Sequence, residues 1–361
     1  MLVMARSSLV AVVCSLVGAL IIGGCSTVPA TTSAGDSSVD QSSAVAGATA
    51  ASVTATSDSG AVTTGLPAAT AYPLTIDNCG TKVTFTAPPK RVLAIKSTSI
   101  EMLLALGLKD RIIGVAFPDG PYSPKWAPSL ELPLISDKVP GEEATLAMNP
   151  DLVYAGWESN VSADGAGDRA SLAAAGVATF VSPAACQEAK YQPHPLTWDD
   201  IFSEITQMGE IFDVPAAAAT LVAAQRAQLI AVKRDSRRLT ALWYSSGSKT
   251  PYVGAGIGSP QLVLNAVGLT NIAADVPMTW SSLSWEAVIA ADPDVIVLVD
   301  SSWGSTKKKI AQLEGNPATA TLTAVRNHRY LVVPFPAGEA GVRSVEAVQT
   351  LAAQLGKLTM P

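Results

Sequence analysis

The sequence predicts an α/β protein of two lobes, each built on a mostly parallel sheet, joined by a single long α-helix. Three observations carry that reading. Short aliphatic and β-branched runs alternate with helical patterns from residue 91 onward, the arrangement that gives parallel sheets. A turn recurs in both halves. Gly141-Glu142-Glu143-Ala144 leads to Asn149-Pro150-Asp151-Leu152-Val153, and Ser284-Trp285-Glu286-Ala287 leads to Asp292-Pro293-Asp294-Val295-Ile296, with seven residues from Glu to Pro each time. Matching register and context read as a duplicated lobe. Between the halves, Val214–Leu239 is dominated by Ala, Leu and Gln, with Pro215 at a first helical position and Asp213 before it as a cap. About 24 helical residues at 1.5 Å each would reach roughly 36 Å, enough to cross a small domain. A surface helix of one domain would show the same residues. Its place between two like sets of elements, with no flexible linker, favours a rigid strut.

The chain begins with segments outside the fold. Arg6 and the apolar run Leu9–Ile22 have the charge and length of an export signal. The run ends in Ile22-Gly23-Gly24-Cys25, which resembles a bacterial lipobox and implies cleavage before Cys25 and its lipidation. A plain secretory signal with a chance cysteine is the alternative. Residues 26–71 are nearly all Ser, Thr, Ala, Gly and Val, too poor in large apolar groups to offset their ordering entropy, and are expected to form a disordered tether. The body then divides into an N-terminal lobe (72–213), the interlobe helix (214–239) and a C-terminal lobe (240–361).

Within the first lobe, Leu74–Ile76 and Val83–Phe85 alternate around Asn78-Cys79-Gly80, a hairpin signal. Strands follow at Arg91–Ile95, Arg111–Ala116, Asp151–Ala155 and Val177–Val181. A helix runs from the Lys96-Ser97-Thr98-Ser99 loop to Gly107, with Thr98 and Glu101 at capping-box spacing. Further helices are expected at Ala163–Ala175 and Leu196–Phe212. The second lobe repeats the grammar, with strands at Thr240–Ser245, Asp294–Val299 and Arg329–Val333 and helices at Gln261–Val267 and Val342–Leu355.

The composition excludes several functions. A net charge of −6 with no basic block argues against nucleic acid. No nucleophile elbow, phosphate loop or metal-spaced His/Cys cluster is present, His194 and His328 sit in loops, and Gly254–Gly258 lacks dinucleotide spacing. Of the four cysteines, Cys14 leaves with the signal and Cys25 takes lipid. Cys79 and Cys186 remain as an even pair in an oxidising compartment, where a disulfide is the default. Ligands of parallel sheets bind beyond the strand carboxyl ends. Phe117, Trp157, Tyr244, Trp303 and Phe335 fall there, with Trp280 in a nearby loop. Aromatic residues are only 6% of the chain, so this concentration points to platforms for a flat ligand, although each ring taken singly could equally pack between loops. Lys96, with Ser97 and Thr98 on the same loop, Lys249 and Arg343 are candidate polar contacts for anionic groups.

The segments RVLAIKSTSIEMLLALGLKDRIIGV, GEEATLAMNPDLVYAGW and SWEAVIAADPDVIVLVD, with the helix between them, resemble the iron-chelate and cobalamin family of ABC-importer binding proteins over essentially all of 72–361. The resemblance implies two α/β lobes on a helical backbone, small hinge motion, and delivery of a metal chelate, corrinoid or similar flat ligand to a permease dimer. It implies a monomer on the outer face of the cell membrane, with no cofactor. In the family, one glutamate per lobe docks onto the permease, a role that falls here to Glu143 and Glu286. NCG, KSTSIEMLLALG, AFPDGP and YAGWESN resemble actinobacterial proteins labelled as carriers of a deazaflavin coenzyme precursor. The pattern departs from haem-binding relatives, which use a His or Tyr iron ligand; Tyr154 and Tyr244 are the candidates here. It also lacks the arginine cluster expected for strongly anionic ferric chelates. The competing class is an enzyme on a related two-lobed fold, such as a chelatase, for which the sequence offers no convincing cleft acid or base.

Overall fold

The computed structural model describes residues 68–126 and 130–359. The signal segment, Cys25 and the tether up to residue 67 lie outside them. A hairpin opens the body, β1 (Leu74–Asn78) pairing antiparallel with β2 (Thr81–Phe85). Cys79 and Gly80 at its tip have φ of 51° and 82°, the two positive values that a tight two-residue hairpin requires. The first sheet follows, built from β3 (Val92–Ile95), β4 (Ile112–Ala116), β5 (Leu134–Ser136), β6 (Leu152–Ala155) and β7 (Ala178–Val181). Its order is β5-β4-β3-β6-β7, parallel throughout. The lobe's helices are α1 (Ser97–Ala105), α2 (Glu142–Ala147), α3 (Arg169–Ala174) and α4 (Trp198–Ile211). The sheet is covered on both faces: Val92 and Ala94 join one apolar cluster while Leu93 and Ile95 join another, the alternation of a strand buried on two sides.

The connecting helix α5 (Pro215–Ile230) is shorter than the predicted 214–239. Beyond Val232 the run Lys233-Arg234-Asp235-Ser236-Arg237-Arg238 offers no apolar face to bury. The Asp235 backbone N–H instead donates to the Val267 carbonyl, and Arg237 donates to the Leu355 and Leu358 carbonyls. The helix nonetheless touches both lobes. Leu221 and Val222 pack on the first lobe's core, Leu229 packs on the cores of both, and Gln225 donates to the Val342 carbonyl across 2.8 Å.

The second lobe contains β8 (Thr240–Ser246), β9 (Tyr252–Gly254), β10 (Thr270–Asn271), β11 (Trp280–Ser282), β12 (Val295–Asp300) and β13 (Tyr330–Pro334). Its helices are α6 (Ser259–Val267), α7 (Trp285–Ala291), α8 (Thr306–Gly315), α9 (Thr323–Arg326), α10 (Phe335–Gly338) and α11 (Ser344–Leu355). β8, β12 and β13 are parallel, but β9 folds back antiparallel on β8 and β11 on β9, so this sheet is mixed. No helix among the described residues is long and apolar enough to cross a membrane.

The repeated turn has a structural reason. Asn149 and Asp292 are left-handed, with φ of 51° and 36°. Two residues on, the Asp151 carboxylate accepts from the backbone N–H of Lys90 and Arg91, and that of Asp294 accepts from the N–H and hydroxyl of Thr240. Each Pro-Asp thus fastens the start of its own strand to the start of the strand paired beside it, β6 to β3 and β12 to β8. Three local expectations fail. Asp213 does not cap α5, whose N-cap is Val214; its carboxylate accepts from the Thr70 N–H instead. The Thr98–Glu101 capping box does not form, because α1 begins at Ser97 and Glu101 is turned inward. The predicted 163–175 helix shrinks to α3, since Gly167 has a φ of 112° and Asp168 caps the helix by accepting from the N–H of Ala170 and Ser171.

Candidate functional site

A cavity of about 460 Å³ lies between the lobes. The first lobe contributes Thr98, Trp157 and the segment after β7, including Ser182, Cys186 and Gln192. The second contributes Ser245, Tyr252, Ser259, Thr279, Trp280, Trp303, Phe335 and Glu339. The walls therefore come from strand carboxyl ends and the loops beyond them. The predicted aromatics Trp157, Trp280, Trp303 and Phe335 all line it. They belong to a continuous cluster: Trp157 meets Phe335 edge-on at 6.2 Å, Trp303 meets Phe335 at 4.6 Å, and Trp280 stacks on both Phe335 and Tyr252 at 6.2 Å.

Behind that wall sits Lys96, fully buried and not part of the lining. Its φ of 81° is unusual for a residue with a Cβ and is the kind of strain that surrounding structure must hold in place. What holds it is an ion pair with the buried Asp119 carboxylate and four rings around the ammonium: Trp157 at 3.4 Å to the centroid, Phe117 at 4.4 Å, Phe335 at 5.0 Å and Trp303 at 5.5 Å. Gly156 is required beside it, because a Cβ there would lie 2.7 Å from the Lys96 Cβ and 2.5 Å from Thr98 Oγ1. Ser97 is buried too; its hydroxyl accepts from the Asp119 N–H. The lobes meet at this cage, where the Ser302 N–H donates to the Asp119 carbonyl at 3.2 Å.

Among the described residues, Glu339 is the only carboxyl or cationic side chain in the lining. It is 9% exposed. One oxygen accepts from Trp157 Nε1–H at 2.7 Å, and Oε1 has no hydrogen-bond partner among the described residues. Burial pushes its carboxyl up to about 7, against the opposing pull of Lys96 and the Trp157 N–H. Thr98 Oγ1 and Ser259 Oγ, also in the lining, are likewise buried without partners. Sequence reasoning missed Glu339 and Tyr252. Glu339 follows the Phe335-Pro336-Ala337-Gly338 exit of β13, a strand-end position like those of the aromatics, but a lone Glu there carries no motif or spacing that marks it as a ligand contact.

Other predicted residues lie elsewhere. Tyr244 points to the opposite face of its sheet, with its hydroxyl donating to the Gly247 carbonyl and its ring 5.5 Å from Trp285. Tyr154 is buried in the first lobe's core and donates to Glu204, whose carboxyl burial pushes up to about 7. Neither reaches the cavity. Arg343 ties the lobes together away from it, bonding Glu346 at 2.6 Å, the Pro121 carbonyl at 2.9 Å and Glu101 at 3.3 Å. Phe117 belongs to the cage only, and Lys249 is exposed. Among the described residues, no three His, Cys, Asp or Glu side chains converge to hold a metal.

The Cys79–Cys186 disulfide forms, with Cα atoms 5.3 Å apart. It fastens the hairpin to the segment that walls the cavity. Asn78 adds to the clasp, its amide both donating to and accepting from Val181 at 2.8 Å. Glu143 and Glu286 are exposed and occupy the same second helical position in α2 and α7.

The family model for periplasmic binding proteins matches residues 92–337. The chain is 26% identical over 290 residues to an uncharacterized ABC transporter substrate-binding lipoprotein, YvrC, of Bacillus subtilis, spanning 78% of this chain and 85% of that one. Its fold matches an ABC-type Fe3+-hydroxamate transport system structure from Saccharomonospora viridis with a TM-score of 0.69, at 29% identity, over 79% of this chain and all of that one. A periplasmic binding protein from Veillonella parvula also gives a TM-score of 0.69, at 26% identity, over 80% of this chain and 98% of that one.

Proposed function

Because the chain belongs to the periplasmic binding protein family, we propose that it is the extracytoplasmic substrate-binding component of an ABC importer. It captures a metal chelate such as an iron siderophore, a corrinoid or a similarly flat cofactor-like molecule and hands it to a membrane permease. Its work is binding, as in the rest of its family, and not catalysis. The observation that carries this reading is the aromatic cavity whose walls come from both lobes, so that a bound ligand reports on their relative position. A lipid on Cys25 would keep the carrier at the membrane, and the expected tether would let it range over the surface.

The cavity's size favours a second reading within the same role. About 460 Å³ suits a compact small molecule, which supports a deazaflavin coenzyme precursor over a whole corrinoid. For delivery, Glu143 and Glu286 are the docking carboxylates, one per lobe, at matching register on exposed helix starts. Rim charges of this kind chiefly steer association and fix orientation.

Native mass spectrometry of the protein purified from its own host tests the capture step. A retained small molecule is expected. Protein that carries none, and whose melting temperature moves with no candidate cofactor, would be a structural envelope lipoprotein instead. Delivery is tested by replacing Glu143 and Glu286 together with Gln. Ligand affinity should hold while uptake falls sharply, with partial recovery when either carboxylate is restored. Wild-type uptake by the double variant would place docking elsewhere.

A further inference from the structure

The cavity's chemistry narrows what it can accept. Among the described residues no cation lines it: Lys96 is spent on Asp119 and the rings behind the wall, and Arg343 is spent on Glu101, Glu346 and Pro121. Among the described residues, the one carboxyl or cationic group that faces inward is Glu339, and it presents an unpartnered oxygen, Oε1. Leaving a buried acceptor unmade is costly, and the cost is recovered only when a donor arrives. Thr98 Oγ1, Ser182 Oγ and Ser259 Oγ, the other unpartnered groups of the lining among the described residues, are hydroxyls that can serve either way. Around them the walls are aromatic on the second lobe's side, with Trp280 stacked on Tyr252 and Phe335.

Resting on the carrier reading above, we infer that the ligand is a flat heteroaromatic molecule without an anionic group at its ring end. It presents an N–H donor, neutral or protonated, to Glu339 while its ring lies against Trp280 and Trp157. An anionic ring system would have to bring its charge beside Glu339 with no cation in the lining to pair with it, the nearest one, Lys96, being already paired with Asp119 behind the wall.

Three flat tricyclic probes of like size separate the possibilities: proflavine, a cation with amine donors; lumichrome, neutral with an imide N–H; and anthracene-2-sulfonate, an anion. Equilibrium dialysis against the full chain in detergent should show proflavine and lumichrome binding, with the sulfonate at least about tenfold weaker. Glu339→Gln keeps an acceptor for the Trp157 N–H. It should cost proflavine about tenfold or more and lumichrome much less, because an amide oxygen still accepts. Retained lumichrome binding shows that the variant's cavity is intact. Proflavine affinity should also rise from about pH 6 to about pH 8 in the wild type as Glu339 ionises, and should stay flat in the variant. The other titratable groups facing Glu339 are Lys96, Asp119 and Tyr252, and all three remain in the variant. Sulfonate binding as tight as that of proflavine, or a Glu339→Gln protein that holds proflavine unchanged, overturns the inference. Neither result touches the carrier reading, which stands or falls on the retained ligand and on uptake.

Discussion

Lys96 and Glu339 are both buried charged side chains at strand exits, one from each lobe, and both touch Trp157. Their surroundings differ in one respect. Lys96 has its carboxylate, Asp119, and ring faces on several sides, all supplied by the chain. Glu339 has a single N–H on one oxygen, a bare second oxygen, and a cavity in front of it. A buried charge completed by its own protein serves the architecture, and here it closes two lobes over one cage. A buried charge left half-made is an address for something that comes from outside. Charge type at a strand exit does not tell the two apart; an opposite charge in contact does. Lys96 is paired with Asp119, although its Nζ and both Asp119 oxygens make no hydrogen bond, while Glu339 has no cation in contact among the described residues.

The sharpest way to break the comparison is to remove the completed charge. Lys96→Met leaves Asp119 buried without a counter-ion and strips the cage of its cation. Breaking such a pair should cost about 3–5 kcal/mol in urea unfolding. Adding Asp119→Asn should return much of that loss, since neutralising both partners removes the stranded charge. A single variant as stable as the wild type would show that the pair is not what holds the cage. Next in size is the clasp behind the cavity. Cys79→Ser with Cys186→Ser opens a loop of 107 residues and should cost about 2–4 kcal/mol, with weaker lumichrome binding because the Cys186 segment is a wall. Equal stability of the reduced and oxidised protein would remove that role.

The aromatic wall comes third. Trp280→Ala takes one platform from the cavity and keeps all four rings around Lys96, meeting the cage only through its stack on Phe335. Lumichrome affinity should fall by about 1–3 kcal/mol with little change in melting temperature. An unchanged dissociation constant would mean that the ring packs against Phe335 and Tyr252 for structure alone.

Much of this was legible in the chain. The alternation of apolar runs gave strand positions, because strands buried on both faces announce themselves as continuous Val, Ile and Leu. The Pro-Asp repeat was legible because each copy performs the same fastening of neighbouring strands. Strand ends also located most of the cavity's rings. Side-chain direction was not legible. Tyr244 and Trp243 are sequence neighbours, yet pleating sends them to opposite cores, and nothing local says which face meets the cleft. Nor was partnering. Lys96, Arg343 and Glu339 each stood at a plausible place, but Asp119, Glu101 and Trp157 lie 23 to 242 residues from the side chains they pair with. The separation between a completed and a half-made charge exists only in three dimensions.

The smallest expected effect tests that separation most directly, because its sign is opposite to that of Lys96→Met. Glu339 has an ordinary value of 4.5, raised to about 7 in the folded chain by burial. A group whose folded value lies above its unfolded one adds stability that is complete below the unfolded value and lost as pH rises through the folded one. The wild type therefore gives up stability between about pH 4.5 and about pH 7 on account of this carboxyl. Glu339→Gln does not ionise, keeps an acceptor for the Trp157 N–H, and gives up only the attraction to Lys96. Relative to the wild type it should gain little at about pH 4.5 and roughly 1 kcal/mol at about pH 8, read from urea midpoints at the two pH values. A stabilised protein that has lost its donor-bearing ligand is the expected signature of a site whose strain is kept for binding. If Glu339→Gln is instead less stable than the wild type at the higher pH, the carboxylate is satisfied within the chain, and Glu339 belongs with Lys96 as part of the frame.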